Sequence, residues 1–185
     1  MVGPQEWYRF RVKTSPVLFQ SMTTDHLSRV SSALLSMFVY LVHHGDSLGP
    51  NADPQRPLSS LGHRQVEVLS RQAAALSVCP AVIWHSGKLR ARQTAQIYWR
   101  ACNPVAEFSA TRWMQPDDPP LLADLLQVET RDVMLVGHIP HLERLRLRLL
   151  QESASQCFPS HGAVALERLS TGWTECWRLE LPSSA

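Results

Sequence analysis

Met37-Phe38-Val39-Tyr40-Leu41-Val42-His43-His44-Gly45-Asp46 is the stretch on which the fold turns. Its apolar run shows no alternation, which suits a strand covered on both faces, as in a parallel sheet. The run stops abruptly at two histidines and a glycine. From Leu58 onward the spacing becomes helical, with Ser59 or Ser60 able to cap and Val66, Leu69, Ala73 and Leu76 recurring three and four residues apart. Pro80 and a short apolar strand, Ala81 to Trp84, come next, followed by a second helical pattern from about Leu89 to Ala101.

The alternation then loosens. A stretch with Pro104, Pro116, Pro119 and Pro120 reads as irregular, Leu121 to Val128 as a short helix, Asp132 to Val136 as a strand, and 140–150 as a helix opening at Pro140. Ala163 to Leu169 and Trp173 to Leu181 flank a turn at Ser170-Thr171-Gly172, with Trp173, Trp177, Leu179 and Leu181 expected on one face. Strand and helix in repetition give an α/β class: a three-layer α/β/α sandwich with a mostly parallel sheet and a C-terminal antiparallel hairpin. There is no internal repeat.

With 185 residues, 44% of them hydrophobic, the chain suits one compact domain. That domain is expected over 37–181. Residues 1–36, where bases and aromatics from Trp7 to Lys13 give way to a Ser/Thr-rich run, are expected to form a loose N-terminal extension or to reflect a start assigned too far upstream. Eighteen Lys and Arg against sixteen Asp and Glu call for neither nucleic acid nor an anionic membrane as partner. Cys79, Cys102, Cys157 and Cys176 form no C-x-x-C pair, so reduced thiols and a cytoplasmic location are expected.

In open α/β sheets ligands bind beyond the carboxyl ends of the strands. Three segments stand there: His43-His44-Gly45-Asp46, Ser86 to Thr94, and Gly137-His138-Ile139-Pro140-His141. Two histidines and an arginine delivered to one sheet edge, with Gly45 and Gly137 leaving room, describe a phosphate site with a nucleophile. An imidazole nitrogen can attack phosphorus and a guanidinium can chelate phosphoryl oxygens, while a second imidazole donates to another.

These segments resemble those of the histidine phosphatase superfamily, whose pattern is Arg-His-Gly after the first strand, Ser-x-x-x-Arg-Ala-x-x-Thr after the second and Gly/Ser-His after a later one. Ser86, Arg90, Ala91 and Thr94 match the second motif and Gly137-His138 the third, while Arg56-Pro57-Leu58-Ser59 with Gly62 resembles the family's Arg-Pro-Leu-Ser/Thr-x-x-Gly. The similarity spans roughly 37–181, and its shortness resembles the SixA-type phosphohistidine phosphatases. The resemblance implies His44 as phosphorylated nucleophile, with Arg90 clamping the phosphate and His138 supporting the transferring group. It also implies action on a phosphorylated protein, a histidine phosphotransfer domain being one candidate, without cofactor or metal.

The chain departs from the pattern at His43, where the family has arginine. His43, Arg56 and Gly45 are therefore read as the remaining phosphate contacts, with Arg56 placed to compensate. Asp46, Asp117 and Asp118 are the candidate general acids. Lys88 and Arg92 add positive potential from a helix face, His85 and Ser86 are expected in turn and capping roles, and His141 is expected to be exposed or at the substrate edge. Three alternatives stay open: a phosphatase of small phosphate esters, a non-catalytic phosphate- or phosphohistidine-binding module, and a metal hydrolase using His43, His44, His138 and His141.

Overall fold

The computed structural model describes residues 36–152 and 156–181. The N-terminal extension read over 1–36 thus lies, apart from Ser36, outside the described residues.

Six strands form one sheet: β1 (Met37–His43), β2 (Val82–His85), β3 (Glu107–Ala110), β4 (Val133–Gly137), β5 (Ala163–Leu169) and β6 (Gly172–Leu179), in the order β3-β2-β4-β1-β5-β6. The pairs β3-β2, β2-β4 and β4-β1 are parallel; β1-β5 and β5-β6 are antiparallel. Helices α1 (Ser60–Ala75) and α2 (Leu89–Cys102) cover one face, burying Val66, Leu69, Ala95 and Tyr98 against Tyr40, Val42, Met134 and Val136. Helices α3 (Leu122–Val128) and α4 (His141–Leu150) cover the other, where Leu126, Leu142 and Leu145 meet Val39, Leu41 and Leu135. Strand β1 is buried on both sides, as its unbroken apolar run requires. The three-layer sandwich with a C-terminal hairpin is the architecture read from the sequence.

Two local readings are corrected. Strand β3, passed over as irregular, is a four-residue edge strand paired only with β2; its exposed Glu107 and half-covered Phe108 and Ser109 leave little periodicity to detect. In the hairpin, Trp173 does not share a face with Trp177 and Leu179. Leu166 pairs with Glu175 but Ala165 with Trp177, so Cys176 is an extra residue, a β-bulge. The bulge switches the side-chain alternation, sending Trp177 and Leu179 to the α1–α2 layer and Trp173 to the α3–α4 layer.

The register fixes where the loops open. His43 lies opposite Gly137 and His85 opposite Val136, so the segments following β1, β2 and β4 emerge side by side. Antiparallel β5 begins at that same edge, with Ala163 opposite Val42.

Candidate active site

The loop after β1 is held at both ends by backbone and by α1. The His44 amide donates to the Gly137 carbonyl (3.2 Å), and the Gly45 amide to Thr94 Oγ1 (3.1 Å), whose hydroxyl donates in turn to the Arg90 carbonyl (2.9 Å). Thr94 is fully buried, so one side chain ties the β1 loop to the α2 turn that carries Arg90. Ser59 caps α1 by accepting from the Gly62 amide (2.9 Å), and its hydroxyl donates to the Asp46 carboxylate. A Cβ on Gly62 would lie 2.0 Å from the Asp46 carbonyl oxygen, so glycine there is what allows α1 to touch the loop.

Two contacts define the state of His44. Nδ1 lies 2.7 Å from the Gly45 carbonyl, which only accepts, so Nδ1 carries the hydrogen. Nε2 accepts from Arg90 Nε at 3.1 Å, so it holds the lone pair. Burial lowers the His44 pKa to about 4, against the opposing bond to Gly45; Arg90, His161 and Arg56 lower it further. The ring is thus neutral near pH 7, with its nucleophilic nitrogen turned to a guanidinium.

His138 stands edge-on to His44, ring centroids 4.9 Å apart, and its Nε2 is 2.7 Å from Ser86 Oγ. Desolvation brings its pKa to about 3, helped by His44, Arg90, Lys88 and His141. Arg90 is mostly buried in the first turn of α2, a helix with no acidic residue in that turn, and has no carboxylate partner among the described residues. Its pKa is depressed by burial and then by the charge of Arg56. Arg56 sits at the rim, half-buried, with positive φ of 51° and its Nε on the Leu48 carbonyl (3.2 Å). The charges acting on His43, His44, His138 and Arg90 are all basic. A cluster of this kind, at a helix N-terminus and without a counter-ion, is built for an anion.

The structure therefore brings His43, His44, Gly45, Arg90 and His138 together, with Arg56 at the edge. Two of the three candidate acids are engaged elsewhere: Asp46 accepts from Ser59, and Asp118 accepts from the Gln115 amide (2.7 Å) within the loop before α3. Ser86 does more than turn the chain, since it meets His138, whereas His85 keeps a turn role by accepting from the Gly87 amide (3.1 Å). His141 is not exposed but fully buried, its Nδ1 donating to the Asp118 carbonyl (3.2 Å), because the 114–120 loop covers the first turn of α4.

Sequence reasoning missed His161. It precedes β5, whereas ligands of an open α/β sheet are expected beyond strand carboxyl ends; the start of a strand antiparallel to β1 reaches the same edge. Its ring stacks on His43 at 5.1 Å and 5°, and its Nδ1 donates to the His44 carbonyl (2.8 Å). His43, His44 and His161 place ligand-capable atoms within 4.8 Å of one another. A cation fits this trio poorly: His43 Nδ1 already accepts the His161 amide (2.9 Å), which leaves the hydrogen of the neutral ring on Nε2. Burial, then the neighbouring histidines and Arg90, hold the His43 pKa down to about 2.

No family model matches the sequence, and neither does any curated protein. Solved structures do. A chain from Agrobacterium tumefaciens assigned as a phosphohistidine phosphatase SixA is 25% identical, with 78% of this chain and 98% of that one covered at a TM-score of 0.66. A protein histidine phosphatase SixA complexed with tungstate is 21% identical, with 78% and 97% covered at 0.70. A phosphoserine phosphatase from Entamoeba histolytica, complexed with 3-phosphoglyceric acid, is 15% identical, with 78% and 98% covered at 0.61. Among the described residues no helix is long and apolar enough to cross a membrane.

Proposed function

We propose, for a chain that belongs to the histidine phosphatase superfamily and is of the SixA type, that it is a phosphatase acting on phosphohistidine in a partner protein through a phosphohistidine intermediate on His44. The observation that carries this reading is the pair of bonds on the His44 ring. Nδ1–H is fixed on the Gly45 carbonyl, and the Nε2 lone pair faces Arg90 in a cluster of bases.

In the proposed reaction Nε2 attacks phosphorus in line. A P–N bond forms as the bond to the leaving group breaks, and the Arg90 guanidinium passes from Nε2 to the phosphoryl oxygens. Water then attacks phosphorus, the P–N bond breaks, and inorganic phosphate leaves His44 neutral again. His138, kept uncharged and with its Nδ1 sealed from solvent, turns its Nε2 from Ser86 to an equatorial oxygen. Hydrolysis is thereby split into two displacements.

The substrate class follows from leaving-group chemistry. A serine alkoxide needs a proton as it departs, whereas an imidazole, with a conjugate-acid pKa of about 6.5, leaves with little help. Asp46 and Asp118 use carboxylate oxygens to hold Ser59 and Gln115, so recruiting either as acid would loosen the loop it anchors. Both facts favour a phosphoramidate. The test is turnover of a phosphohistidine-bearing protein beside phosphoserine peptide and small sugar and nucleotide phosphates. Preference for the phosphohistidine protein by at least about a hundredfold in kcat/KM is expected; preference for a small ester would move the chain to that class, and phosphate binding without turnover would make it a binding module.

A further inference from the structure

We infer that His161 is a positioning residue of this site, locking His43 into the uncharged Nε2–H form so that it donates to a bound phosphoryl oxygen. The inference rests on the phosphoryl-site reading above, but its evidence is separate. The His161 amide donates to His43 Nδ1 at 2.9 Å, and an atom that accepts an N–H bond carries no hydrogen of its own. The neutral ring must then hold its hydrogen on Nε2. Among the described residues that atom has no partner, yet it is not one of the buried polar atoms sealed from solvent without one, so it stays accessible. A hydrogen-bond donor facing a cluster of bases is complementary to an anion's oxygen and to little else.

Three features hold His161 where this requires. Its backbone is left-handed, φ 54°, which turns its amide back toward β1. Its Nδ1–H bonds the His44 carbonyl at 2.8 Å, so the residue that orients His43 also grips the nucleophile's own backbone. Its ring lies parallel on His43, and the His43 amide is fixed to the Gly162 carbonyl at 2.9 Å. Gly162 in turn leaves no room for a side chain, a Cβ there lying 2.4 Å from the Leu179 carbonyl oxygen and 2.7 Å from Pro159 Cβ. The start of β5 is thereby pinned, and with it the direction of the His161 amide. The other titratable groups facing His43 are His44 after β1, His138 after β4 and Arg90 from α2, all basic, and they further disfavour the doubly protonated ring.

The experiment is nitrogen-15 NMR of histidine-labelled full-length protein, which distinguishes the two neutral tautomers, combined with tungstate titration of variants. In the unaltered protein the His43 ring should be protonated on Nε2 only, and tungstate should shift that hydrogen's resonance. His161→Asn, which tolerates the left-handed backbone but removes the stack and the Nδ1–H bond, should mix the His43 tautomers. It should weaken tungstate between about threefold and tenfold, the range for a lost hydrogen bond. His43→Gln, which keeps an N–H near the Nε2 position, should bind tungstate at least about threefold more tightly than His43→Asn, which does not. An Nδ1-protonated His43 in the unaltered protein would overturn the inference, as would equal tungstate binding by the Gln and Asn variants. The wild-type spectrum decides even if a variant fails to fold. Expected tautomer and tungstate results without any turnover would refute the phosphatase reading and leave His161's role standing.

Discussion

Replacing His43 by arginine, the residue that the family pattern places before the nucleophile, is expected to destabilise the free protein more than the oxyanion-bound one. His43 is 9% exposed, with its ring between those of His44 at 4.5 Å and His161 at 5.1 Å. Arginine cannot accept, so the His161 amide would lose its partner, at a cost of about 1–3 kcal/mol for a buried donor. The position also resists charge: the fall in the His43 pKa from 6.5 to about 2 corresponds to roughly 6 kcal/mol against a cation at the imidazole. A guanidinium reaching toward the cleft avoids most of that penalty, so the net loss should be about 2–4 kcal/mol. At roughly 2–4 °C per kcal/mol for a domain of this size, the melting temperature should fall by about 4–16 °C in phosphate-free buffer. Saturating tungstate, paired by the new charge, should recover at least half of the loss. Thermal melts of both proteins with and without tungstate make the comparison. Equal melting temperatures in its absence would refute the claim that His43 accepts from His161 in a site hostile to positive charge.

Thr94→Val should cost about 1–3 kcal/mol in chemical denaturation, because the buried Gly45 amide loses its acceptor, and should lower kcat/KM by releasing the loop that carries His44. Gly62→Ala cannot be accommodated 2.0 Å from the Asp46 carbonyl; α1 must move, and a loss of about 2–4 kcal/mol together with most of the activity is expected. The pH dependence has a definite sign. His43, His44 and His138 have folded pKa values of about 2, 4 and 3, below the unfolded 6.5, so on acidification the unfolded chain takes up protons first. These rings therefore cost no stability above pH 6.5 and lower it progressively below, down to about pH 4 for His44, 3 for His138 and 2 for His43, at up to about 1.4 kcal/mol per pH unit for each ring. Denaturation midpoints across that window check it, and the acid limb of kcat/KM should fall near pH 4 instead of 6.5.

What could be read in the sequence was whatever a local pattern encodes. The unbroken run from Met37 to Val42 reveals a strand buried on both faces, and the spacing of Val66, Leu69 and Ala73 reveals a helix with one apolar side. His44, Arg90 and His138 could be found because each follows a buried strand in a motif. His161 could not be found that way, since its place in the site depends on β5 pairing antiparallel with β1 at a register no local pattern specifies. The split of Trp173 from Trp177 was hidden for a related reason: a single extra residue, Cys176, reverses the alternation without altering the composition. His141 was misread because its burial comes from a proline-rich loop remote in sequence.

The most direct test of the account is rapid-quench labelling. The protein is mixed with a radiolabelled phosphohistidine-bearing protein, stopped in alkali, where phosphohistidine survives, and digested to locate the label. A transient phosphoryl group on His44, whose decay matches turnover, is expected, with both label and turnover at background in a folded His44→Ala variant. Turnover by His44→Ala at a rate comparable to the parent, or a label on any other residue, would contradict it.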